Sequence, residues 1–596
     1  MLAIVFSFLV NIVTNFITDY FANSFTYSEQ QVIDVIRLLP QEVRKGYLSS
    51  PTGELAPSHI SNLGFLLVVL LFYIGNYFWG LYLIRKPQLS KGKKREKEKF
   101  YIPALFYLML IATGLILLFS SLTFFLDYYF VPVLLSFLIF SALMYWLFNV
   151  DHYYELKPCQ RNNPIVIDEE QAIADFKRAL QQRLKDQGEE NRTLVVVSAS
   201  GGGIQAAGWT VQVLTGLQQA LEVTQPGLGI KFTKAIGLIS SVSGSSIGIM
   251  YYLDRFNQKH GYPEEAEFKN IFNGTTANSL DATAWGLAYP DFWRFVGFPW
   301  IPKVLGLGDR GTAIESDWQG HLKHKNLGLN TWRDQALAGT IPIPVFNATL
   351  ADNGYRFLLS PMTFIKPSND QKSWDFNSLY GKDNYDIDAT AAARLSATFP
   401  YVTPIACNCY PNHHRGQQHN YHVADGGYFD NFGMFTIVEW LDKVVLKNIQ
   451  ELKIKKVIIL QLNAFDSSAS ANNNSSTQKG WLMSLAGPLL TIFKVRDSTQ
   501  ADRNDLELKM LQQKWQNLLK IEHVNITPLG IKQNDLPKNP KLKDLKKYWK
   551  LFCNNQGEYV SPFSWKLSEF EKEMIKLAWK NVRDEVVRDI QPKLQD

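Results

Sequence analysis

The feature that most constrains this chain is a pair of glycine-rich turns, about fifty residues apart, each arriving directly after an apolar run. The first is Ser200-Gly201-Gly202-Gly203-Ile204-Gln205, which follows Thr193-Leu194-Val195-Val196-Val197. The second is Gly244-Ser245-Ser246-Ile247-Gly248, which follows Ile236-Gly237-Leu238-Ile239-Ser240-Ser241-Val242 and leads into Ile249-Met250-Tyr251-Tyr252-Leu253. Uninterrupted β-branched runs of this kind predict strands buried on both faces of a parallel sheet, and each turn then carries the chain from strand to helix. The expected fold class is α/β, with a mostly parallel sheet and helices on both of its faces.

Each turn also suggests chemistry. In the G-x-S-x-G pattern of the second, Gly244 and Gly248 allow a tight bend that exposes the hydroxyl of Ser246 above the sheet, which makes Ser246 the candidate nucleophile. At the first, residues without a Cβ let the N–H groups around Gly201, Gly202 and Gly203 approach an anion at a helix N-terminus, as an oxyanion hole requires. A third piece lies far downstream at His422-Val423-Ala424-Asp425-Gly426-Gly427. There Gly426 and Gly427 leave the Asp425 carboxylate uncrowded, so that Asp425 is the candidate base. His422 stands three positions before it; residues three apart on a strand face opposite sides, so His422 is left out of the site.

In this order the three pieces resemble the patatin-like lipid acyl hydrolases, whose pattern is a G-G-G loop, a G-x-S-x-G elbow and a D-G-G or D-G-A. The segment Ala393-Arg394-Leu395-Ser396-Ala397-Thr398-Phe399-Pro400, with Pro404 after it, is similar to the small-residue-and-proline stretch that precedes the aspartate in that family. The resemblance covers roughly residues 191–434. It implies a patatin-type fold and a Ser246–Asp425 dyad that cleaves phospholipid or acylglycerol esters through an acyl-enzyme, with no cofactor and no metal. Where the family usually carries Arg or Lys after the triple glycine, this chain has Gln205.

Two other readings compete. Gly201-x-Gly203-x-x-Ala206, with Glu222 downstream, satisfies a dinucleotide fingerprint, but that reading leaves the second turn and the Asp-Gly-Gly unexplained. A catalytically silent membrane scaffold of the same fold would have no physical reason to retain all three motifs. Cys407, Cys409, His413 and His414 include zinc-type ligands, yet their spacing matches no finger or knuckle and no metal is expected.

Ahead of these motifs the character is that of a membrane protein. Residues 64–84 carry no formal charge and residues 100–150 are interrupted only by Asp127, lengths that match about twenty apolar residues per bilayer crossing. The run at 2–18, which contains Ser7, Asn11, Thr14 and Asn15, either spans or lies along the surface. Three or four crossings are therefore expected, at about 2–18, 64–84, 101–122 and 131–148. Eight basic and two acidic residues between Arg85 and Lys99 account for the whole net charge of +6. No basic stripe remains for a nucleic-acid partner, and the positive-inside rule puts this loop, and after two more crossings everything beyond Asp151, in the cytoplasm. Four scattered cysteines agree with a reducing compartment. Residues 151–190 read as a linker with an amphipathic helix from Glu169, and 191–596 as the catalytic domain, acting on a membrane lipid. The aromatic-rich stretch Gly261 to Leu327 is expected either to wall an acyl-chain site or to pack on the sheet.

Overall fold

The computed structural model describes residues 26–49, 57–89, 102–126, 129–159, 168–188, 190–364, 372–399, 402–409, 420–465, 499–536 and 564–595, with isolated positions between them. Most of the apolar run at 2–18 and of the basic loop at 85–99 lies outside the described residues. So do His413, His414 and the side chain of Cys409. The chain forms two compact units, one of residues 1–150 with 281–316 and one of 151–280 with 317–596.

In the first unit the apolar runs form α1 (Pro57–Leu89), α2 (Ala104–Leu126) and α3 (Val133–Phe148). Among the described residues one helix is long and apolar enough to cross a membrane, through Phe65–Tyr82; the apolar stretches Ala104–Ser120 and Val133–Phe148 are shorter. All three are apolar around their circumference, and α3 leaves Leu134, Leu138 and Trp146 exposed. The aromatic segment 281–316 belongs to this unit and not to the sheet. The Tyr73 hydroxyl donates to the Ala288 carbonyl (2.9 Å), and the Tyr289 hydroxyl donates to the Tyr73 carbonyl (2.8 Å). The Ser141 hydroxyl donates to the Phe295 carbonyl at 2.7 Å, and Gly80 sits where any Cβ would fall 2.2 Å from the Trp285 ring. Of the stretch 261–327 expected to wall a site or to pack on the sheet, residues 281–316 instead pack their rings into a helical core that the spacing of the sequence does not reveal, while 261–280 and 317–327 belong to the second unit.

The second unit is built on β1 (Arg192–Ala199), β2 (Ile236–Val242), β3 (Ile343–Leu350), β4 (Arg356–Leu359), β5 (Ser373–Asp375), β6 (Val423–Asp425), β7 (Ile454–Leu462) and β8 (Lys520–Ile526). They form one sheet in the order β8-β7-β1-β2-β3-β4-β5, with β6 also paired to β3. From β8 to β3 every pairing is parallel; β4 and β6 run antiparallel to β3. Every residue of β2 and all but the first of β1 are buried, which is why these strands show no in–out alternation.

Helix α4 (Gly203–Thr224) follows β1, α5 (Gly244–Asp254) follows β2, α6 (Ala389–Ser396) precedes β6, and α7 (Glu569–Gln595) ends the unit. Two turns apart on α4, Gly208 and Gly216 make room for Ile575 and Trp579 of α7. A Cβ at Gly216 would lie 2.2 Å from the Trp579 indole nitrogen. Overpacking of this kind costs about 1–3 kcal/mol against roughly 1 kcal/mol gained in helix propensity. Gly216→Ala is therefore expected to lower the thermal midpoint; an unchanged or raised midpoint would contradict this packing.

Candidate active site

The register of β3 assembles the site. Its edge is occupied by β2 as far as Val242, which stands opposite Asn347, and from there onward by β6, in which Asp425 stands opposite Ala348. Because β4 holds the other edge over Phe346 to Thr349, β2 and β6 share one edge and meet end to end. The residue after Val242 is Ser243, and its hydroxyl donates to Asp425 Oδ2 at 2.8 Å.

Ser243 takes φ 52° and ψ −127°, a left-handed conformation that costs a non-glycine residue of order 1–3 kcal/mol and is tolerated where the surroundings over-determine it. It stands at the N-terminus of α5. Asp425 is held from three sides: its Oδ1 accepts the Gly427 N–H (2.8 Å), its carbonyl accepts the Thr349 hydroxyl (2.9 Å), and its Oδ2 accepts Ser243. The next residue must be glycine, since a Cβ at Gly426 would fall 2.0 Å from the Asn347 carbonyl oxygen. Ser243 and Asp425 are both buried, with 5% and 6% of their surfaces exposed, so the pair is largely shielded from water.

Ser246, the nucleophile expected from the glycine pattern, is not brought to Asp425. It lies in the first turn of α5 with no exposed surface, and its hydroxyl pairs with Ser241 (3.0 Å) and Ser396 (2.8 Å). Ser396 gives its own proton to the Asn347 carbonyl at 2.6 Å, so it must accept from both the Ser246 hydroxyl and the Ser243 N–H (3.2 Å). The Ser246 proton is thereby committed to a structural bond. Gly244 and Gly248, read as the flanks of an elbow, serve close packing instead: Cβ atoms there would lie 1.8 Å from the Gly203 carbonyl oxygen and 2.7 Å from that of Ala207. Three serines thus divide the work, with Ser243 facing the carboxylate, Ser246 bracing the helix start and Ser245 tied to the Ser200 carbonyl (2.5 Å).

The triple glycine lies against this elbow. A Cβ at Gly201 would fall 3.1 Å from the Ser243 Cβ and 2.3 Å from Asn431 Oδ1. Of the three amides expected to hold an oxyanion, that of Gly201 is already donated to the Asn431 carbonyl at 2.8 Å. The amides of Gly202 and Gly203, at the N-terminus of α4, meet no acceptor among the described residues. Asn431 in turn donates its N–H to Gln500 Oε1 (2.8 Å), and Gln500 reaches the Phe429 carbonyl (3.0 Å), which fixes the loop after Gly427. Gln205 is 1% exposed and its Oε1 meets no donor among the described residues.

Sequence reasoning therefore missed Ser243, Ser396 and Asn431. Ser396 lies inside the small-residue stretch noted above, and Ser243 was legible as the first residue beyond a seven-residue buried strand. Nothing local marks Asn431. Glu222, the acid of the dinucleotide reading, accepts the N–H groups of Gly227 (2.7 Å), Gly229 (3.1 Å) and Ile230 (3.3 Å). It caps the following helix from the far end of α4, about 28 Å along that helix from the glycine loop. The imidazole of His422 bonds to Asp151 (2.8 Å) and Asp352 (3.0 Å).

Among solved structures the chain is similar to human GIVD cytosolic phospholipase A2 in complex with methyl gamma-linolenyl fluorophosphonate, at 12% identity and a TM-score of 0.36, over 72% of this chain and 64% of that one. It is also similar to human GIVD cytosolic phospholipase A2 without that compound (10% identity, TM-score 0.35, 72% and 68% covered). A third similar structure contains the same inhibitor and terbium chloride (12%, 0.36, 72% and 65%). The chain spans less than two thirds of the length of the first of these. No protein-family model and no curated sequence matches it.

The bridging role of Ser396 gives a direct test. Ser396→Ala leaves the buried Ser243 N–H without its acceptor, a defect worth about 1–3 kcal/mol. Urea unfolding should show that loss in the midpoint with the slope unchanged.

Proposed function

We propose that this protein is a serine lipid acyl hydrolase in which Ser243 is the nucleophile and Asp425 the base. The observation that carries the reading is the 2.8 Å hydrogen bond from the Ser243 hydroxyl to the Asp425 carboxylate, made at a strained strand-to-helix turn. In the proposed reaction Asp425 takes the Ser243 proton as Oγ attacks an ester carbonyl. The oxygen that becomes negative is received by the uncommitted amides of Gly202 and Gly203, at the positive end of α4. Collapse of the tetrahedral species expels the alcohol with the proton held by Asp425, and water admitted to the site then releases the fatty acid. No histidine takes part.

Lipid as the substrate is supported by the first unit. Helices apolar on all sides, with leucine and tryptophan side chains exposed along them, are stable against acyl chains and not against water. In this reading α1, α2 and α3 cross the membrane, the run at 2–18 makes a fourth crossing or lies on the surface, and the basic stretch at 85–99 keeps the second unit on the cytoplasmic side. Anchoring confines the site to the surface where its esters reside, which raises the encounter rate without new contacts.

A fluorophosphonate probe reacts with an activated serine and reports which one it is. Labelling of the purified full-length chain is expected in the native protein and in Ser246→Ala, absent in Ser243→Ala, and at least about a hundredfold slower in Asp425→Asn. Labelling lost in Ser246→Ala but kept in Ser243→Ala would restore Ser246 as nucleophile. No labelling of well-folded protein would favour the silent scaffold.

A further inference from the structure

A second cluster of reactive side chains lies outside the Ser243 site and plays no part in its chemistry. Asp151 is the first residue of the second unit, Cys407 opens a short strand (Cys407–Cys409) that pairs in parallel with Tyr153–Glu155, and His422 precedes β6. Their ligating atoms, one carboxylate oxygen, the Sγ and one ring nitrogen, all lie within 4.8 Å of one another. Asp151 stands 256 and 271 residues before the other two and is brought to them only by the fold. We propose that Asp151, Cys407 and His422 form a binding site for a divalent transition-metal ion of the zinc class, with a fourth position left to water.

The donor set and its spacing suit such an ion. Thiolate, imidazole and carboxylate together are the mixture that zinc accepts and that magnesium or calcium does not. A tetrahedral zinc with bonds of about 2.0 Å to oxygen or nitrogen and about 2.3 Å to sulfur holds its sulfur and oxygen ligands about 3.5 Å apart. Cys407 Sγ and Asp151 Oδ2 are 3.6 Å apart. For nitrogen and oxygen the same geometry asks for about 3.3 Å. His422 Nε2 and Asp151 Oδ2 are hydrogen bonded at 2.8 Å, so the pair has to open by about half an ångström, a change within one rotamer of the half-buried imidazole.

The outer partners are in place as well. His422 Nδ1 faces Asp352 Oδ1 at 3.0 Å, while Asp352 Oδ2 accepts the His422 backbone N–H at 2.7 Å. A carboxylate that fixes the distal nitrogen orients the ring so that Nε2 is presented to an ion, the arrangement found behind most histidine ligands of zinc. Asp151 is fixed in turn by the His152 N–H on its other oxygen (2.7 Å). Burial and the nearby Asp151 carboxylate push the Cys407 thiol up to about 12, and a cation between the two would turn that repulsion into attraction. The Cys407–Cys409–His413–His414 grouping weighed from sequence shares only Cys407 with this site; the partners come from elsewhere in the chain.

Cobalt provides the test because its bond to a thiolate gives a near-ultraviolet charge-transfer band. Full-length protein stripped with a chelator and titrated with Co²⁺ is expected to take up one ion per chain with that band, and Zn²⁺ should abolish the band by competition. Cys407→Ser, close to isosteric, should remove the band while circular dichroism stays native. Asp352→Asn, at a residue that supplies no ligand atom itself but holds the His422 ring, should weaken uptake about 10–100-fold. Cys553→Ser should leave both unchanged. Failure to bind stoichiometric cobalt, or a thiolate band that survives Cys407→Ser, would overturn the proposal and leave an ordinary Asp151–His422–Asp352 ion pair.

Discussion

Two strands approach one edge of β3 from opposite directions, and neither can pass the other. β2 stops at Val242 because the next place along the edge belongs to Asp425, and β6 stops at Asp425 because the place beyond belongs to Val242. Both chains must therefore leave the sheet at the same point. What each carries at its turn is forced together: a hydroxyl from the first and a carboxylate from the second, 2.8 Å apart. The Asn347 carbonyl beneath them accepts from Ser396 and leaves no room for a side chain at Gly426, so one peptide of β3 supports both sides of the contact.

The remaining devices keep that meeting point narrow. Residues without side chains are required at Gly244, where backbone passes the Gly203 carbonyl, and at Gly201, which lies against the Asn431 side-chain amide. This is how the loop of bare amides comes to lie against the elbow. α4 and α5 both begin at the C-terminal ends of parallel strands, so the positive ends of their dipoles lie at the same rim of the sheet. The strain at Ser243 is held by the same contacts, through its N–H on Ser396 and its hydroxyl on Asp425.

Much of this was legible without coordinates, and the failures have identifiable causes. Buried β-branched runs marked β1 and β2, and the Asp-Gly-Gly marked the end of β6, because strand composition and glycine crowding are local properties. Ser246 was singled out by treating Gly244 and Gly248 as the flanks of a turn; in the structure they are packing positions one helical turn apart, on a helix that begins at Gly244. A positive φ is carried here by a serine, and no residue-type signal announces that. The commitment of the Gly201 amide to Asn431, and the gathering of Asp151, Cys407 and His422, depend on contacts between distant segments, which no local pattern encodes.

The assignment of residues 281–316 to the helical unit follows the same division between local and long-range information, and it explains how the sheet tolerates so large an interruption between β2 and β3. The chain leaves and rejoins the second unit at one buried clip: the Ser279 hydroxyl donates to Asp317 (2.9 Å), and the Trp318 indole donates back to Ser279 (3.0 Å). With the ends of the segment held together, loop-closure entropy rises only logarithmically with what lies between them. The register of β2 on β3, and with it the position of Ser243 beside Asp425, is then set by the clip and the strands themselves. The intervening rings are free to answer to a different requirement, that of filling a core among apolar helices.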